Sequence, residues 1–278
     1  MEVIRARQIG PCFGVRDALA TVEAVLDRAS DGRQVTALGH IVHNPQAMER
    51  LAARGLAVDP DPSGPQPGGQ LVITAHGAPP ATFEAARSRG LEVVDTTCPL
   101  VRRVQDAGRQ VAGDGRLLVV VGHGNHPEVR GVVGWAGGGV VVRDAADVAS
   151  VPSGEHVGVV VQSTFPASAL PPILAALEER AASVEVHDTR CPVVTLRQRA
   201  AGELAERVDV IVVVGGRGSA NTNALVEHCA ARRPTHHVET ADEVEASWFE
   251  PGQKVGITSG TSTPDWLVDA VENVCRSF

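Results

Sequence analysis

Short runs of valine, isoleucine and leucine alternate along the chain with longer stretches in which apolar residues recur at helical spacing. The runs are apolar at successive positions, which is typical of strands buried on both faces of a parallel sheet. Four runs are predicted as strands: Leu71–Thr74, Leu117–Val121, Val157–Val161 and Val208–Val214. The other stretches predict helices at Val15–Ala29, Pro80–Ser88, Val101–Ala112, Pro171–Ala182, Leu196–Arg207, Ala220–Arg232 and Trp266–Cys275. This alternation predicts an α/β fold with mostly parallel sheets.

One motif occurs twice in the chain. Asp95-Thr-Thr-Cys98-Pro-Leu-Val is followed later by Asp188-Thr-Arg-Cys191-Pro-Val-Val, and Cys12 stands at a similar interval before the first copy. Glycine-containing turns at strand ends form a second series, at Thr74–Gly77, Gly122–His126 and Gly215–Ser219. The recurrence predicts three similar small α/β units, each with one cysteine and one polar strand-end loop.

The three units are expected at residues 14–97, at 98–190, and at 191–278 together with 1–13. The proline- and glycine-rich segment Pro60–Gly69 is predicted to be a loop inside the first unit. Ligands of open α/β sheets bind beyond the carboxyl ends of the strands, so the polar loops are expected to face one shared centre.

Composition narrows the classes of partner. The net charge of −8 disfavours a nucleic-acid backbone, and the absence of tyrosine leaves few aromatic side chains for base stacking. No apolar run reaches the ~18 residues of a membrane helix. The chain opens on Met1-Glu-Val-Ile-Arg-Ala6 without a charged and then apolar leader, so we expect a cytoplasmic protein.

The five cysteines fall into two groups. No Cys-x-x-Cys pair occurs, which disfavours a zinc ribbon or a thioredoxin-type site. Cys229 and Cys275 lie in helical patterns without polar motifs and are expected to be buried. Cys12, Cys98 and Cys191 each precede a helical stretch, where the helix N-terminus favours a thiolate. Three such thiolates could hold an iron–sulfur cluster, whereas a nucleophilic mechanism would need only one of them.

Several polar residues in strand-end loops are candidates for ligand binding. Ser219–Asn223 and Gly260–Asp265 open helices after glycine turns, where a helix N-terminus could hold phosphate oxygens or simply be capped. Glu128 follows His126 and Pro127 in what is predicted as a stiffened loop, and it could donate a proton to a leaving hydroxyl. The loop histidines are His43, His76 and His126.

These motifs, in this order, resemble the family of 4-hydroxy-3-methylbut-2-enyl diphosphate reductases, also called LytB. The resemblance covers nearly the whole chain. Its motifs are Cys12-Phe-Gly-Val, Val42-His-Asn, Ala75-His-Gly, Thr97-Cys-Pro-Leu-Val, Gly122-His-Gly-Asn-His-Pro-Glu-Val, Gln162-Ser-Thr, the Cys191 segment, Val214-Gly-Gly-x-x-Ser-x-Asn-Thr-Asn and Gly260-Thr-Ser-x-Pro-Asp.

The resemblance implies three α/β domains around a central [4Fe–4S] cluster with three cysteine ligands and one open iron. The ligands would be Cys12, Cys98 and Cys191. The implied reaction removes the hydroxyl of a small allylic diphosphate as water with two electrons and two protons, giving isopentenyl and dimethylallyl diphosphates. Ferredoxin or flavodoxin would supply the electrons.

The resemblance also implies roles for residues around the cluster. Glu128 would deliver the proton, His126 would assist, and Ser163 would supply a hydroxyl near the substrate. The residues that match diphosphate-binding positions are His43, His76, Ser219, Asn221 and Ser262.

The chain departs from the family pattern at four places. Phe13 replaces a small residue beside Cys12, Val194 removes a hydroxyl after Cys191, Ala220 replaces a serine, and Ser163 stands in a threonine position. These changes motivate an alternative, a paralogous [4Fe–4S] reductive dehydroxylase acting on a different allylic or activated alcohol. A non-catalytic redox sensor and a zinc enzyme are the remaining hypotheses.

Overall fold

The computed structural model describes residues 1–29 and 32–278, so residues 30 and 31 of the first predicted unit lie outside it. The twelve strands of the described chain are β1 Glu2–Arg5, β2 Val35–Ala37, β3 Leu56–Val58, β4 Gln70–Ile73, β5 Glu92–Asp95, β6 Leu117–Val121, β7 Val140–Val142, β8 His156–Val161, β9 Ser183–His187, β10 Val210–Val214, β11 Thr235–Val238 and β12 Lys254–Ser259.

The α-helices that the structure describes are α1 Phe13–Arg28, α2 Pro45–Ala53, α3 Pro80–Ser88, α4 Pro99–Gly113, α5 Pro127–Ala136, α6 Leu170–Arg180, α7 Pro192–Ala205, α8 Ala220–Ala230 and α9 Asp265–Ser277. Short 3₁₀ helices cover Ala146–Ser150, Ala167–Ala169, Ala241–Glu243 and Ala246–Trp248. The seven helices and four strands predicted from the pattern all form, with ends shifted by a few residues.

The strands build three four-stranded sheets, and every strand pair in the described part of the chain is parallel. The first sheet has the order β5-β4-β2-β3, the second β9-β8-β6-β7 and the third β1-β12-β10-β11. The protein therefore consists of three small α/β domains with parallel sheets, as predicted.

The three sheets share one topology. In the first two, the last strand in the chain lies at an edge next to the third strand. In the third sheet this edge position is taken by β1, which pairs with β12 from Glu2↔Lys254 to Arg5↔Ile257. The amino-terminal strand thus completes a sheet whose other strands come from the end of the chain.

The described residues divide into two compact units. One, the third-sheet unit, comprises Met1–Arg16, Ile41–Arg54 and Pro192–Phe278. The other, the two-sheet unit, comprises Asp17–His40 and Gly55–Cys191. The predicted domains, 14–97, 98–190, and 191–278 with 1–13, each contain one of the three sheets and so differ from these two units. They stay a prediction.

Each sheet is buried by apolar side chains from its helices. In the second sheet the β6 and β8 valines are almost completely buried, because they meet α4 and α5 on one face and α6 on the other. In the third sheet, Val212 and Val214 face α9, whereas Ile211 and Val213 face α7 and α8. The successive apolar positions of each run arise from this two-sided burial.

Candidate active site

The three part-exposed cysteines are anchored in the same way. Cys98 donates its amide hydrogen to the Ala75 carbonyl at 3.0 Å, and Cys191 to the Ser163 carbonyl at 2.7 Å. Cys12 donates to the Thr261 carbonyl at 3.0 Å. Each cysteine follows an edge strand and is held by the loop beyond the neighbouring strand. The cysteines therefore lie at the carboxyl ends of their sheets, where ligands of α/β folds bind.

The remaining two cysteines have a different environment. Cys229 and Cys275 are fully buried in the hydrophobic cores around α8 and α9. Burial raises the pKa of each thiol to about 11, because the charged thiolate is poorly solvated there. Both stay protonated at neutral pH and are unsuitable as thiolate ligands, in agreement with the expectation that they are structural.

A buried carboxyl is the central feature of the two-sheet unit. Glu128 is only 1 % exposed, and its Oε1 accepts the Ser163 amide hydrogen at 2.6 Å. Its Oε2 accepts the Ser163 hydroxyl at 2.7 Å. Burial raises the pKa of Glu128, although the two hydrogen bonds from Ser163 act in the opposite direction. The carboxyl is therefore biased towards its protonated form.

The local structure around Glu128 differs from the sequence expectation. The His126-Pro127-Glu128 segment was predicted to be a loop, but Glu128 lies in the first turn of α5. Pro127 occupies the start of this helix, where its missing amide hydrogen costs nothing. His126 is the N-cap, and its Nδ1 accepts the Glu128 amide hydrogen at 3.2 Å. The proton of a neutral His126 is therefore on Nε2.

The two-sheet unit brings six of the predicted site residues together. The His76 and His126 rings meet edge to face, with centroids 5.3 Å apart. His76 lies next to Ala75, whose carbonyl holds Cys98, and Ser163 links Glu128 to Cys191. These contacts connect Cys98, His76, His126, Glu128, Ser163 and Cys191.

The third-sheet unit brings together the other five predicted residues, which are Cys12, His43, Ser219, Asn221 and Ser262. Ser219 caps α8 by accepting the Thr222 amide hydrogen at 3.3 Å. A Cβ on Gly216 would lie 2.8 Å from the His43 carbonyl oxygen, so only glycine lets the His43 loop approach the Ser219 turn this closely.

The Ser262 loop lies beside the same helix. Gly260 leaves room for Thr222, whose Oγ1 would be 2.1 Å from a Cβ at that position. Asn221 and Val194 line one small cleft together with Thr261. The hydroxyl and amide groups of this unit thus surround the N-terminus of α8, where backbone amides favour an anion.

Two functional features escaped the sequence interpretation. Thr189 donates its hydroxyl to the Val161 carbonyl and accepts the Val161 amide hydrogen at 3.1 Å, which ties the Cys191 loop to β8. Thr96 likewise donates its hydroxyl to the Ile73 carbonyl at 2.6 Å. Both threonines stand two residues before a cysteine in the duplicated motif. This repetition could have identified them from the sequence.

Comparison with known proteins gives a consistent result. The profile of the LytB protein family matches residues 3–276. The chain belongs to the LytB family. A relative named 4-hydroxy-3-methylbut-2-enyl diphosphate reductase from Geobacter sulfurreducens is 40 % identical over 280 residues, covering 100 % of this chain and 98 % of that protein. An Aquifex aeolicus relative of the same name is 37 % identical over 279 residues, covering 98 % of this chain and 95 % of that protein.

Solved structures agree with this family membership. A structure of (E)-4-hydroxy-3-methyl-but-2-enyl diphosphate reductase, described as the terminal enzyme of the non-mevalonate pathway, has a TM-score of 0.83 and 35 % identity and covers 100 % of both chains. The Plasmodium falciparum reductase structure has a TM-score of 0.85 and 26 % identity, covering 98 % of this chain and 87 % of that chain. The predicted family and fold are confirmed.

LytB membership implies an iron–sulfur cofactor, and the donor set can be tested against it. The three cysteines at the sheet ends are part-exposed thiols next to helix N-termini, which suits thiolate ligands. Within the described residues, no group of three or more His, Cys, Asp or Glu is arranged to hold a single metal ion. A thiol at the carboxyl end of each sheet is the donor chemistry that an iron–sulfur cofactor requires.

Proposed function

We propose that the protein reduces 4-hydroxy-3-methylbut-2-enyl diphosphate to isopentenyl and dimethylallyl diphosphates. The reaction consumes two electrons and two protons, breaks the allylic carbon–oxygen bond and releases water. The observation that carries the proposal is the connection between Glu128, Ser163 and Cys191. Ser163 donates to the buried Glu128 carboxyl, and its own carbonyl accepts the Cys191 amide hydrogen, which supports a role for this carboxyl next to a proposed cluster ligand.

The proposed cofactor is a [4Fe–4S] cluster held by Cys12, Cys98 and Cys191, with one iron free of protein ligands. When bound, such a cluster supplies electrons and a Lewis-acidic iron that can hold the hydroxyl oxygen of the substrate. The common backbone anchor of the three cysteines and their position at strand ends support this ligand set.

Glu128 is proposed as the proton donor. Burial raises its pKa and so favours the protonated form that a donor needs, and the bond to Ser163 fixes its orientation. With Oε2 protonated, the carboxyl would donate to Ser163 Oγ and leave the Ser163 hydroxyl hydrogen for the substrate. His126 would assist through Nε2, because Nδ1 is used by the Glu128 amide.

The diphosphate is proposed to bind His43, Ser219, Asn221 and Ser262 of the third-sheet unit, and His76 and His126 of the two-sheet unit. The helix N-terminus of α8 supplies amide hydrogens to the anion, so the acidic net charge is no obstacle. Val194 and Ala220 lack the hydroxyls of the family pattern, and each missing donor to a buried anion costs about 1–3 kcal/mol unless water replaces it.

The alternative substrate, another allylic or activated alcohol, finds no support in the comparisons, because the relatives described above carry the same reductase name. We expect ferredoxin or flavodoxin as the electron donor and a cytoplasmic location. No helix in the described part of the chain is long and apolar enough to span a bilayer.

The experiment that tests the function is turnover of the hydroxymethylbutenyl diphosphate by anaerobically reconstituted protein, with reduced viologen as electron donor. We expect viologen oxidation and both C5 diphosphates. Glu128→Gln is expected to lower the rate by about 10²–10⁴, the usual contribution of a general acid, without changing the cluster spectrum.

Glu227→Gln is the matched control, because it makes the same substitution at an exposed position on α8. It is expected to turn over like the wild type. A fully loaded wild-type protein that gives no C5 product would refute the substrate. Undiminished turnover by Glu128→Gln would refute the proton donor.

A further inference from the structure

Arg197 is a buried arginine that the proposed mechanism does not use. It lies on the inner face of α7, the helix that follows Cys191, and only 4 % of it is exposed. Placing a guanidinium in a protein interior is costly unless a negative group or several acceptors compensate the charge. A role for this charge is therefore expected.

The hydrogen bonds of Arg197 all go to the end of β12. Its Nη1 donates to the Ser259 carbonyl at 2.9 Å and to Ser259 Oγ at 3.2 Å. Its Nε is buried without a hydrogen-bond partner. Among the described residues, no carboxylate lies within ion-pair distance of the guanidinium. The positive charge is thus only partly compensated.

Ser259 connects Arg197 to the loop that carries Cys12. Ser259 Oγ also accepts the Gly10 amide hydrogen at 2.9 Å and donates to the Gly260 carbonyl at 3.3 Å. Cys12 itself donates to Thr261 two residues further along. All of these residues belong to the third-sheet unit. Arg197 therefore supports the same strand end that holds the Cys12 loop.

Two negative groups, a Cys12 thiolate and Asp265, act on the Arg197 guanidinium. Burial lowers the pKa of Arg197, and the negative charge of a Cys12 thiolate opposes this effect, followed by that of Asp265. Asp265 packs against Gly10, where any side chain would collide with its carboxylate, and it pairs with Arg16 at 2.8 Å. Asp265 already has a partner, and Cys12 is bound through Thr261 to the same strand end as Arg197.

We propose that Arg197 is a positioning residue for Cys12: it fixes the Cys12 loop through Ser259 and leaves a partly compensated positive charge at the strand end that holds this loop. The inference rests on the proposed function, because it takes Cys12 to be a cluster ligand. A positive charge at this site stabilises the more negative, reduced form of a bound cluster. The readout is therefore the midpoint potential of the loaded protein, which a purely structural arginine would leave unchanged.

The test compares redox titrations of wild type, Arg197→Gln, Arg197→Lys and Arg199→Gln. For Arg197→Gln we expect a negative shift that makes cluster reduction about tenfold less favourable, equivalent to about 59 mV for one electron. Arg197→Lys keeps the charge and is expected to keep most of the potential. Arg199→Gln removes a charge from an exposed position on the same helix, with 77 % of its side chain accessible, and is expected to cause no shift.

Ser259→Ala provides a second test that keeps the buried charge. It removes the hydroxyl between Arg197 and Gly10, so we expect a near-normal potential but several-fold faster loss of iron to a chelator. Wild-type iron loss in Ser259→Ala would overturn the positioning role, even if Arg197→Gln failed to fold. Equal potentials for loaded wild type and Arg197→Gln would overturn the electrostatic role. A wild type that binds no cluster would instead contradict the proposed function.

Discussion

The surroundings of Glu128 determine how readily its carboxyl ionises. A carboxyl in water is ionised at neutral pH, but this one is buried and has no basic partner among its hydrogen bonds. Both oxygens accept hydrogen bonds from one residue, Ser163, which orients the group without neutralising it. The sequence could identify the carboxyl from its neighbours, but only the fold could supply the burial that raises its pKa.

The raised pKa of Glu128 makes stability depend on pH. As pH rises above about 4.3, the unfolded chain loses this proton before the folded protein does. Wild-type stability is therefore expected to fall as pH rises through the window up to the folded pKa. Glu128→Gln lacks this titration, so urea denaturation should show its stability relative to wild type increasing from pH 5 to pH 8.

The matched control for that experiment is Glu227→Gln, whose carboxyl is exposed. A rise of similar size for Glu227→Gln would show that the effect does not come from the burial of Glu128. A pH-independent difference for Glu128→Gln would mean that the folded carboxyl titrates like an ordinary glutamate.

At the level of elements, the apolar pattern predicted seven of the nine helices and four of the six inner strands in the described chain. It missed the helices α2 and α5, the inner strands β2 and β12, and the edge strands. β4, β6, β8 and β10 are buried on both faces and read as apolar runs. Edge strands such as Thr235–Val238 and Ser183–His187 are short and partly polar, because one side of each is exposed. Their pairing is set by tertiary contacts, which local periodicity does not report.

For the candidate site, the sequence indicates the residues but not the contacts that support them. Histidines, hydroxyls and cysteines stand in recognisable strand-end motifs, whereas the supporting contacts join distant segments. Arg197 could have been noticed, since helical periodicity places it on the same face as Ala200, Ala201 and Leu204. Its partner Ser259 is separated from it by β10, α8 and β11, so the hydrogen bonds between Arg197 and Ser259 could not be inferred from the sequence.

The two threonine anchors give a prediction at this scale. Thr189→Val removes the acceptor that the buried Val161 amide hydrogen uses, and we expect a loss of about 1–3 kcal/mol in the free energy of unfolding. Thr96→Val is expected to cost less, because the Ile73 carbonyl still accepts the Thr96 amide hydrogen at 3.0 Å.

Urea denaturation of the two variants measures this difference, since both changes replace a buried hydroxyl by a methyl group. Thr189→Val should also lose iron to a chelator faster than wild type, because its anchor holds the Cys191 loop. Equal stabilities for the two variants would show that the Val161 amide does not depend on Thr189.

At the level of the whole molecule, three sheets of one topology each deliver one cysteine from an edge strand. Removing any of these three should therefore have the same consequence. We expect Cys12→Ala, Cys98→Ala and Cys191→Ala each to abolish the cluster's visible absorption and to lower the iron content of anaerobically reconstituted protein.

Cys229→Ala and Cys275→Ala are the controls, because their thiols are buried and protonated at neutral pH. Both are expected to bind iron as the wild type does, with only a modest loss of stability from the smaller side chain. Loss of iron in either control, or full retention in one of the first three variants, would contradict the proposed ligand set.

The pairing of β1 with β12 has a consequence for biosynthesis. Cys12 is the first of the three cysteines to leave the ribosome, but the carbonyl that anchors it belongs to Thr261, near the end of the chain. The Cys98 and Cys191 loops find their anchors within the segment already made. The pairing of β1 with β12 joins residues separated by almost the entire polypeptide, and contacts of such long sequence separation form slowly. Cys12 can therefore reach its anchored position only after the last strand has been synthesised.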